Sequence, residues 1–366
     1  MSFSCGFVGL PNVGKSTLFN ALSGGGAEAA NFPFCTIEPN TGIVTVPDER
    51  MQVLSKLENS AKLIPSTLKF IDIAGLVKGA SEGQGLGNQF LGHVRSVDAI
   101  AHVVRVFTDE DVVHVDGEID PVNDIEVIMT ELMLSDLDML ERKLEKSKKL
   151  MRSGDSEVKA ELELATKFKE QLADGQRPEY NHDDPVETVI AGSLGLLTIK
   201  PAFICANVDE DNFGEFGKNE ATQKLIAYGK EHNMEVIPVC AKLEEEMRQL
   251  DAEDAQMFME DLGITETGLA QVIHTGYRLL KHITFFTVGP MECHAWTITE
   301  GTVAPQAAGK IHTDMCRGFI RMEVVGYADM LEYNGWNKAK TAGKLRIEGK
   351  DYIMQDGDVI HVRFNV

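Results

Sequence analysis

Apolar runs and helical stripes alternate over the first two thirds of the chain. Short apolar runs that predict buried strands occur at residues 3–9, 68–73, 99–107, 202–208 and 235–240. The stretch 15–23 instead places Leu18, Phe19 and Leu22 along one side of a helix. Because helical stretches separate the strands, as a parallel sheet requires, the pattern predicts an α/β domain.

A different pattern interrupts this domain. Apolar residues recur at helical spacing from Ile125 to Leu144 and again from Val158 to Leu172, with a polar turn at 153–155 between the two stripes. Two stripes joined by a short turn predict a helical hairpin, an antiparallel coiled coil inserted into the α/β domain. Its charged faces are either solvated or a docking surface.

The last part of the chain has a third pattern. Beyond a helix that ends near Leu280, short β-rich runs such as ITFFTV, IRMEVV and DVIHVRF are punctuated by glycine and proline, which predicts a small separate domain. The predicted boundaries are 1–124 and 199–282 for the α/β domain, 125–198 for the helical insert and 283–366 for the C-terminal domain.

Composition narrows the class of protein. Hydrophobic residues make up 43% and charged residues 25%, the mix of a globular protein. No run approaches the roughly 18 apolar residues of a membrane helix, and the N-terminus shows no basic region followed by an apolar one, so we expect no membrane partner. The cysteines are far apart and form no C-x-x-C pair, which favours reduced thiols in a cytoplasmic protein.

The net charge of −22 is unevenly distributed. Residues 281–366 contain 10 basic and 10 acidic side chains, so the rest of the chain carries the whole excess. Because an acidic surface repels phosphate backbones, we expect no DNA partner, and an RNA-rich partner has to meet the neutral C-terminal segment. Basic residues cluster there at Lys338, Lys340, Lys344, Arg346 and Lys350. The alternative is a solvated basic loop.

The segment GLPNVGKST, residues 9–17, matches the phosphate-binding motif G-x-x-x-x-G-K-[ST]. It lies between a predicted strand and a predicted helix, the context that this motif requires. In such loops backbone N–H groups surround the phosphates, Lys15 reaches the β and γ oxygens, and the Ser16 hydroxyl ligates Mg²⁺. The motif predicts a nucleoside triphosphate site with Mg²⁺ as cofactor, and the alternative is a plain glycine turn.

Residues further along the chain complete the predicted metal site. Asp72 and Gly75 form a D-x-x-G segment after a predicted strand, where Asp72 holds Mg²⁺ through water and the Gly75 N–H meets the γ-phosphate. Thr36 is either a further ligand, whose hydroxyl completes the Mg²⁺ shell, or an ordinary loop residue. Translation GTPases carry a glutamine that orients the attacking water directly after this glycine. In this chain the residue after Gly75 is Leu76. Since an apolar side chain cannot orient water, hydrolysis must use another group or be slow.

The predicted base-reading segment favours adenine over guanine. GTP-specific proteins read guanine with N-K-x-D, whereas residues 207–210 are NVDE. Glu210 replaces the shorter aspartate that accepts hydrogen bonds from guanine, a loss that costs GTP more than ATP because polar sites discriminate strongly. The segment CAK at 240–242 is similar to the loop that backs the base. The alternative is that Asp209 takes the reading position and guanine still binds.

These motifs resemble a known family. GLPNVGKST, NFPFCTIEPN, DIAGLVKGASEGQGLGN, NVDE and the inserted hairpin are similar to the YchF subfamily of Obg-like ATPases, and GKIHTDMCRGFIRMEVV resembles its TGS domain, a β-grasp module. The resemblance implies an α/β P-loop NTPase fold, a Ras-like G domain with a coiled-coil insert and a C-terminal TGS domain. It also implies preference for ATP, association with the ribosome, especially the large subunit, and a cytoplasmic location.

The resemblance also assigns residues. The nucleotide loop of the family falls on Asn12, Val13, Gly14, Lys15, Ser16 and Thr17. Its magnesium ligands fall on Ser16 and Thr36, and its adenine contacts on Asn207, Val208 and Glu210. Hydrolysis in the family is linked to a histidine on a loop, and the resemblance places this histidine at His114. The residues around His114, taken without the resemblance, instead predict an ordinary surface side chain.

The nucleotide motifs, together with what the resemblance implies, leave three functions open. The preferred one is an ATPase in which hydrolysis, served by Lys15, Gly75 and His114, regulates binding to the ribosome. A second is a ribosome-binding or RNA-binding module whose affinity for its partner depends on whether ATP is bound, with ATP hydrolysis incidental. Leu76 favours this second hypothesis. A third is an Obg-type GTPase, which Val208 and Glu210 oppose.

Overall fold

The computed structural model describes residues 4–23, 40–73, 86–107, 119–147, 156–247, 249–261 and 263–365. The described chain divides into two compact units. One comprises the described residues within 1–42 and 69–272, and the other comprises 43–68 together with the described residues within 273–366.

Helices and strands alternate up to residue 279. In chain order these elements are β1 (Ser4–Val8), α1 (Lys15–Ser23), β2 (Thr41–Thr45), α2 (Glu49–Glu58), β3 (Leu63–Ile64), β4 (Thr67–Asp72), α3 (Leu86–Ser96), β5 (Ala99–Arg105), α4 (Pro121–Ser147), α5 (Ser156–Ala173), α6 (Pro185–Leu194), β6 (Ala202–Asn207), α7 (Glu210–Phe213), α8 (Glu220–Glu231), β7 (Val236–Val239), α9 (Ala241–Met247), α10 (Ala252–Asp261) and α11 (Gly268–Leu279). Shorter elements follow: β8 (His282–Val288), β9 (Cys293–Thr299), α12 (Ala304–Ile311), α13 (Thr313–Arg317), β10 (Phe319–Gly326), α14 (Tyr327–Glu332), α15 (Trp336–Thr341), β11 (Arg346–Glu348) and β12 (Asp358–Phe364).

The first sheet has the strand order β2-β4-β1-β5-β6-β7, and the strands from β4 to β7 in this order run parallel to their neighbours. Every residue of β1, β5 and β6 is buried. Helices cover both faces of such a sheet, so its central strands are apolar without alternation. This is why uninterrupted apolar runs predicted them, and the predicted parallel α/β sheet is confirmed.

The predicted helical hairpin is formed by α4 and α5. Leu140 of α4 and Phe168 of α5 are fully buried in one apolar cluster, and Lys143 and Lys169 pair across the hairpin with Glu161 and Glu141 at 2.5 and 3.1 Å. A third helix, α6, adds Ala191 and Leu194 to the same cluster. The apolar spacing did not indicate α6. Asp184 caps its N-terminus by accepting the N–H of Val186, and Pro185 occupies its first turn.

The second unit contains a mixed sheet with the order β11-β10-β12-β8-β9-β3. Its central pair, β12 and β8, is parallel, and antiparallel strands flank the pair on both sides, as in a β-grasp fold. Helix α2 packs on this sheet and buries Met51 and Leu54 against Phe286 and Cys293. The predicted boundaries had placed residues 43–68 with the α/β domain. They had also placed residues 273–282 there, whereas the second unit includes them. The boundaries stay a prediction, and the observed grouping differs from them at these two segments.

Two further findings bear on the sequence predictions. No helix in the described ranges is long and apolar enough to cross a membrane. The described cysteines are free thiols, buried at Cys5, Cys205, Cys240 and Cys293 and exposed at Cys316.

Candidate nucleotide-binding site

The predicted nucleotide residues follow neighbouring parallel strands. The phosphate loop follows β1, Asp72 ends β4 and Asn207 ends β6. Phe7 of β1 lies opposite Asp72, and Arg105 of β5 lies opposite Asn207. The carboxyl ends of these strands therefore meet at one edge of the sheet, where α/β proteins bind ligands.

The phosphate loop is held by Asn207. The Asn207 side-chain amide donates a hydrogen bond to the carbonyl oxygen of Val13 at 3.0 Å. Gly14 next to it has φ of 87°, and a Cβ atom at Gly14 would lie 2.1 Å from Nδ2 of Asn207. Asn12 also has a positive φ, 64°, which asparagine tolerates better than most residues. Only glycine therefore suits position 14.

Lys15, Ser16 and Asp72 converge at the start of α1. The Lys15 ammonium lies 2.7 Å from Oδ1 of Asp72, and the Ser16 hydroxyl donates to Oδ2 at 3.0 Å. Lys15 is buried, whereas Ser16 and Thr17 are exposed. The first N–H groups of a helix lack intrahelical acceptors and carry partial positive charge, so this end of α1 suits an anion.

The same cluster suits a magnesium ion. A serine hydroxyl and a carboxylate are hard oxygen ligands, and Mg²⁺ in phosphate sites takes one or two protein ligands and fills the rest with phosphate oxygens and water. Within the described residues no group of three or more His, Cys, Asp or Glu side chains is placed to hold a metal ion. Ser16 and Asp72 supply two oxygen ligands of the kind that such a metal takes.

The two predicted base loops lie beside each other. Asn207 and Val239 are opposite one another in β6 and β7, and the N–H of Val208 donates to the carbonyl oxygen of Val239 at 3.0 Å. Val208 is 2% exposed, so its apolar side chain is buried at this end of the sheet. Glu210 begins α7 and pairs with Lys242 of α9 at 2.6 Å. Sequence reasoning named both loops but missed this contact.

Four residues of the predicted site, Thr36, Gly75, Leu76 and His114, lie outside the described residues. Their roles stay predictions. The structure brings together Lys15, Ser16 and Asp72, and it places Asn207, Val208 and Glu210 at the same edge of the sheet.

A cavity of about 640 Å³ lies elsewhere in the first unit. Residues from α4, α8 and the segment after α5 line it, among them Met129, Tyr228 and Arg177. Among the described residues, those of the nucleotide motifs do not contribute to its lining, and the lining side chains come from the junction of the insert with the α/β domain.

Comparison with known proteins identifies the family. A family model described as "50S ribosome-binding GTPase" matches residues 4–135, and the YchF-GTPase_C model, described as a protein of unknown function, matches residues 282–365. Two relatives named Ribosome-binding ATPase YchF, from Bacillus subtilis (strain 168) and Haemophilus influenzae, are each 50% identical to this chain over 100% of both proteins. The chain belongs to the YchF family.

A solved structure agrees with this assignment. The YchF GTPase of Schizosaccharomyces pombe is 38% identical, superposes with a TM-score of 0.89 and covers 99% of this chain and 98% of its own. The resemblance to the YchF family and the predicted fold class, a P-loop NTPase domain with a C-terminal β-grasp domain, are confirmed. The names of the relatives differ over the nucleotide, since some are called ATPases and another a GTPase.

Proposed function

We propose that this chain is a ribosome-binding ATPase that hydrolyses ATP to ADP and phosphate with Mg²⁺ as cofactor. The observation that carries the proposal is the convergence of Lys15, Ser16 and Asp72 at the N-terminus of α1, beneath a phosphate loop held by Asn207. The full-length relatives are named ribosome-binding ATPases, which supports both the activity and the partner.

Each residue has a stated task in this proposal. Lys15 would donate to the β and γ oxygens, and Ser16 and Asp72, with Thr36, would hold Mg²⁺, which when bound would neutralise charge on the phosphates. The Gly75 N–H meets the γ-phosphate. Because Leu76 cannot orient water, we assign the positioning of the attacking water to His114.

ATP is the proposed substrate because the guanine-reading motif is altered. Val208 replaces the lysine that packs along the guanine ring, and Glu210 replaces the aspartate that reads it. We expect ATP to bind at least about tenfold more tightly than GTP in the presence of Mg²⁺, measured by competitive titration. Equal dissociation constants would overturn the assignment of ATP as the preferred nucleotide.

The proposed partner is the large ribosomal subunit. The description of the N-terminal family model, "50S ribosome-binding GTPase", supports this choice, and the neutral C-terminal domain is the proposed contact with rRNA. We propose a cytoplasmic location and no DNA or membrane partner. The proposed domains are 1–124 with 199–282, 125–198 and 283–366.

Single-turnover hydrolysis with and without ribosomes tests the proposal. An ATPase regulated by its partner should release phosphate faster, by about tenfold or more, when ribosomes are added. In the alternative, a module that ATP occupancy switches, ribosome affinity depends on bound ATP while the hydrolysis rate stays the same. A non-hydrolysable ATP analogue that supports full ribosome binding and release would favour that alternative.

A further inference from the structure

An ion pair joins the first residue of α7, Glu210, to Lys242 in the first turn of α9. Glu210 follows β6 and Lys242 follows β7, each three residues beyond a residue of the register pair Asn207 and Val239. The Lys242 Nζ atom lies 2.6 Å from Oε1 of Glu210. The two loops proposed to hold the base therefore share one ion pair.

This ion pair is solvent-exposed. The exposed fraction is 72% for the Lys242 side chain and 43% for the Glu210 side chain. Pairs exposed to this degree contribute little to folding stability. The ordinary pKa of lysine, 10.5, already keeps the Lys242 ammonium group charged at neutral pH, and the hydrogen bond to Glu210 raises this pKa further. The pair therefore matters for hydrogen bonding rather than for stability. One carboxylate oxygen of Glu210 accepts from Lys242, and the ammonium group compensates the negative charge of Glu210.

The position of Glu210 makes this consequence important for the base. Glu210 stands where N-K-x-D proteins carry the aspartate that reads guanine. Guanine presents two neighbouring donors, N1–H and the N2 amino group, that need both oxygens of one carboxylate, whereas adenine has neither donor. Hydrogen bonds to an ionised acceptor are the strong ones, and a carboxylate already bonded to an ammonium group has less to offer.

We propose that Lys242 is a purine-specificity residue, which withdraws the Glu210 carboxylate from guanine by pairing with it and so favours ATP. The inference rests on the proposed nucleotide site, and it assigns Lys242 a role besides that of backing the base. Lys242 acts through Glu210, so a substitution of Lys242 changes nucleotide affinity only when the Glu210 carboxylate is present.

The test compares nucleotide affinities of the full-length protein. In Lys242→Gln the ratio of the dissociation constant for GTP to that for ATP should fall by about fivefold, mainly through tighter GTP binding. Lys242→Arg keeps a cation beside Glu210 and should retain the wild-type ratio. Lys224→Gln is the matched control, because Lys224 forms a similar exposed pair with Glu220, at 2.8 Å in α8, and its loss changes the net charge equally. The control should leave the ratio unchanged.

A double-variant cycle separates action through Glu210 from a general effect. In a Glu210→Gln background, Lys242→Gln should no longer change the ratio. An unchanged ratio in the Lys242→Gln single variant, or an equal change in the Glu210→Gln background, overturns the inference. If the wild type binds ATP and GTP equally, the proposed ATP preference fails. A fall in the ratio on Lys242→Gln would even then support the role of Lys242.

Discussion

Gly14 combines two constraints in one residue of the phosphate loop. Its φ of 87° disfavours any side chain, and a Cβ atom would lie 2.1 Å from Nδ2 of Asn207, the amide that holds Val13. We expect Gly14→Ala to displace this amide and to weaken ATP binding by at least about tenfold, measured by calorimetry. Gly92→Ala is the control, because a Cβ at Gly92 in α3 meets nothing within 4 Å. Wild-type affinity in Gly14→Ala would contradict the geometry.

Ser16 tests the metal site separately from the phosphate loop. Its hydroxyl contacts Asp72 and is the proposed Mg²⁺ ligand. Ser16→Ala should weaken ATP binding when Mg²⁺ is present and have little effect when the metal is chelated, since only the metal-dependent part of the affinity is lost. Ser23→Ala, at the other end of α1, should match the wild type under both conditions. Equal loss of affinity with and without Mg²⁺ would refute the metal role.

Glu244 gives a prediction about pH. Burial raises its pKa to about 7, although the backbone N–H groups of Leu269 and Gly268 partly oppose the shift by bonding to the carboxylate. The usual value is 4.5, so between about pH 4.5 and 7 the folded state keeps a proton that the unfolded state releases. Stability therefore falls as pH rises through this window and is then constant.

Urea unfolding between pH 5 and 8 measures this effect. The wild type should lose up to roughly 3 kcal/mol over the range relative to Glu244→Gln, in which the group no longer titrates. Glu245→Gln, at the adjacent exposed position, should follow the wild type. Parallel curves for the wild type and Glu244→Gln would show that Glu244 titrates normally.

At the scale of elements, a buried carboxylate fixes α4 to the chain that leads into β6. Asp136 is fully buried and accepts the N–H groups of Leu197 and Thr198 at 3.0 and 2.9 Å, together with the Thr198 hydroxyl at 2.8 Å. Burial raises its pKa, while these hydrogen bonds favour the ionised form. Helix α4 is therefore joined to the segment between α6 and β6 by a polar contact as well as by apolar packing.

Removing this carboxylate should destabilise the first unit. Asp136→Ala leaves two buried N–H groups without an acceptor, and we expect a loss of about 3 kcal/mol in the free energy of unfolding. Asp138→Ala, two positions further along α4, removes an exposed carboxylate paired with Arg142 and should change stability little. Equal urea midpoints for the two variants would show that Asp136 does not anchor the helix.

The elements that the sequence predicted are those whose pattern is local. Strands buried on both faces appear as continuous apolar runs, and α4 and α5 carry apolar stripes long enough to be recognised. Helix α2 was missed because only Met51 and Leu54 of its ten residues are buried, and Phe286 and Cys293, which they contact, come more than 200 residues later. A pattern of neighbouring residues cannot indicate a contact between residues so far apart in the sequence.

The same distinction holds for the site. Motif spacing placed Lys15, Ser16 and Asp72 together because the topology of a P-loop domain brings the ends of β1 and β4 to one edge. The pair of Glu210 with Lys242 was not predictable in this way, since it depends on how two exposed side chains turn at the ends of separate strands.

At the scale of the whole molecule, charge decides where an RNA-rich partner meets the protein. The acidic excess lies outside residues 281–366. Within the predicted basic cluster, however, the structure distinguishes two groups. Lys344 pairs with Asp329 at 3.0 Å, and Arg346 pairs with Asp358 at 3.1 Å, so their charges are compensated. Lys338 and Lys340 are exposed on α15, a helix rather than the basic loop that was the alternative, and they remain the better candidates for phosphate contact.

We therefore expect Lys338→Glu with Lys340→Glu to weaken co-sedimentation with ribosomes by about tenfold at low salt and to flatten its salt dependence. ATP affinity should be unchanged, because the nucleotide motifs all lie before residue 243. The matched control is Lys159→Glu with Lys167→Glu, which makes the same charge change on exposed positions of α5. If only the control substitutions on α5 weaken co-sedimentation, the ribosome contacts the helical hairpin, and the lysines of α15 are simply solvated. If neither pair does, the contact lies in the α/β domain, where the acidic surface would have to meet ribosomal protein rather than rRNA.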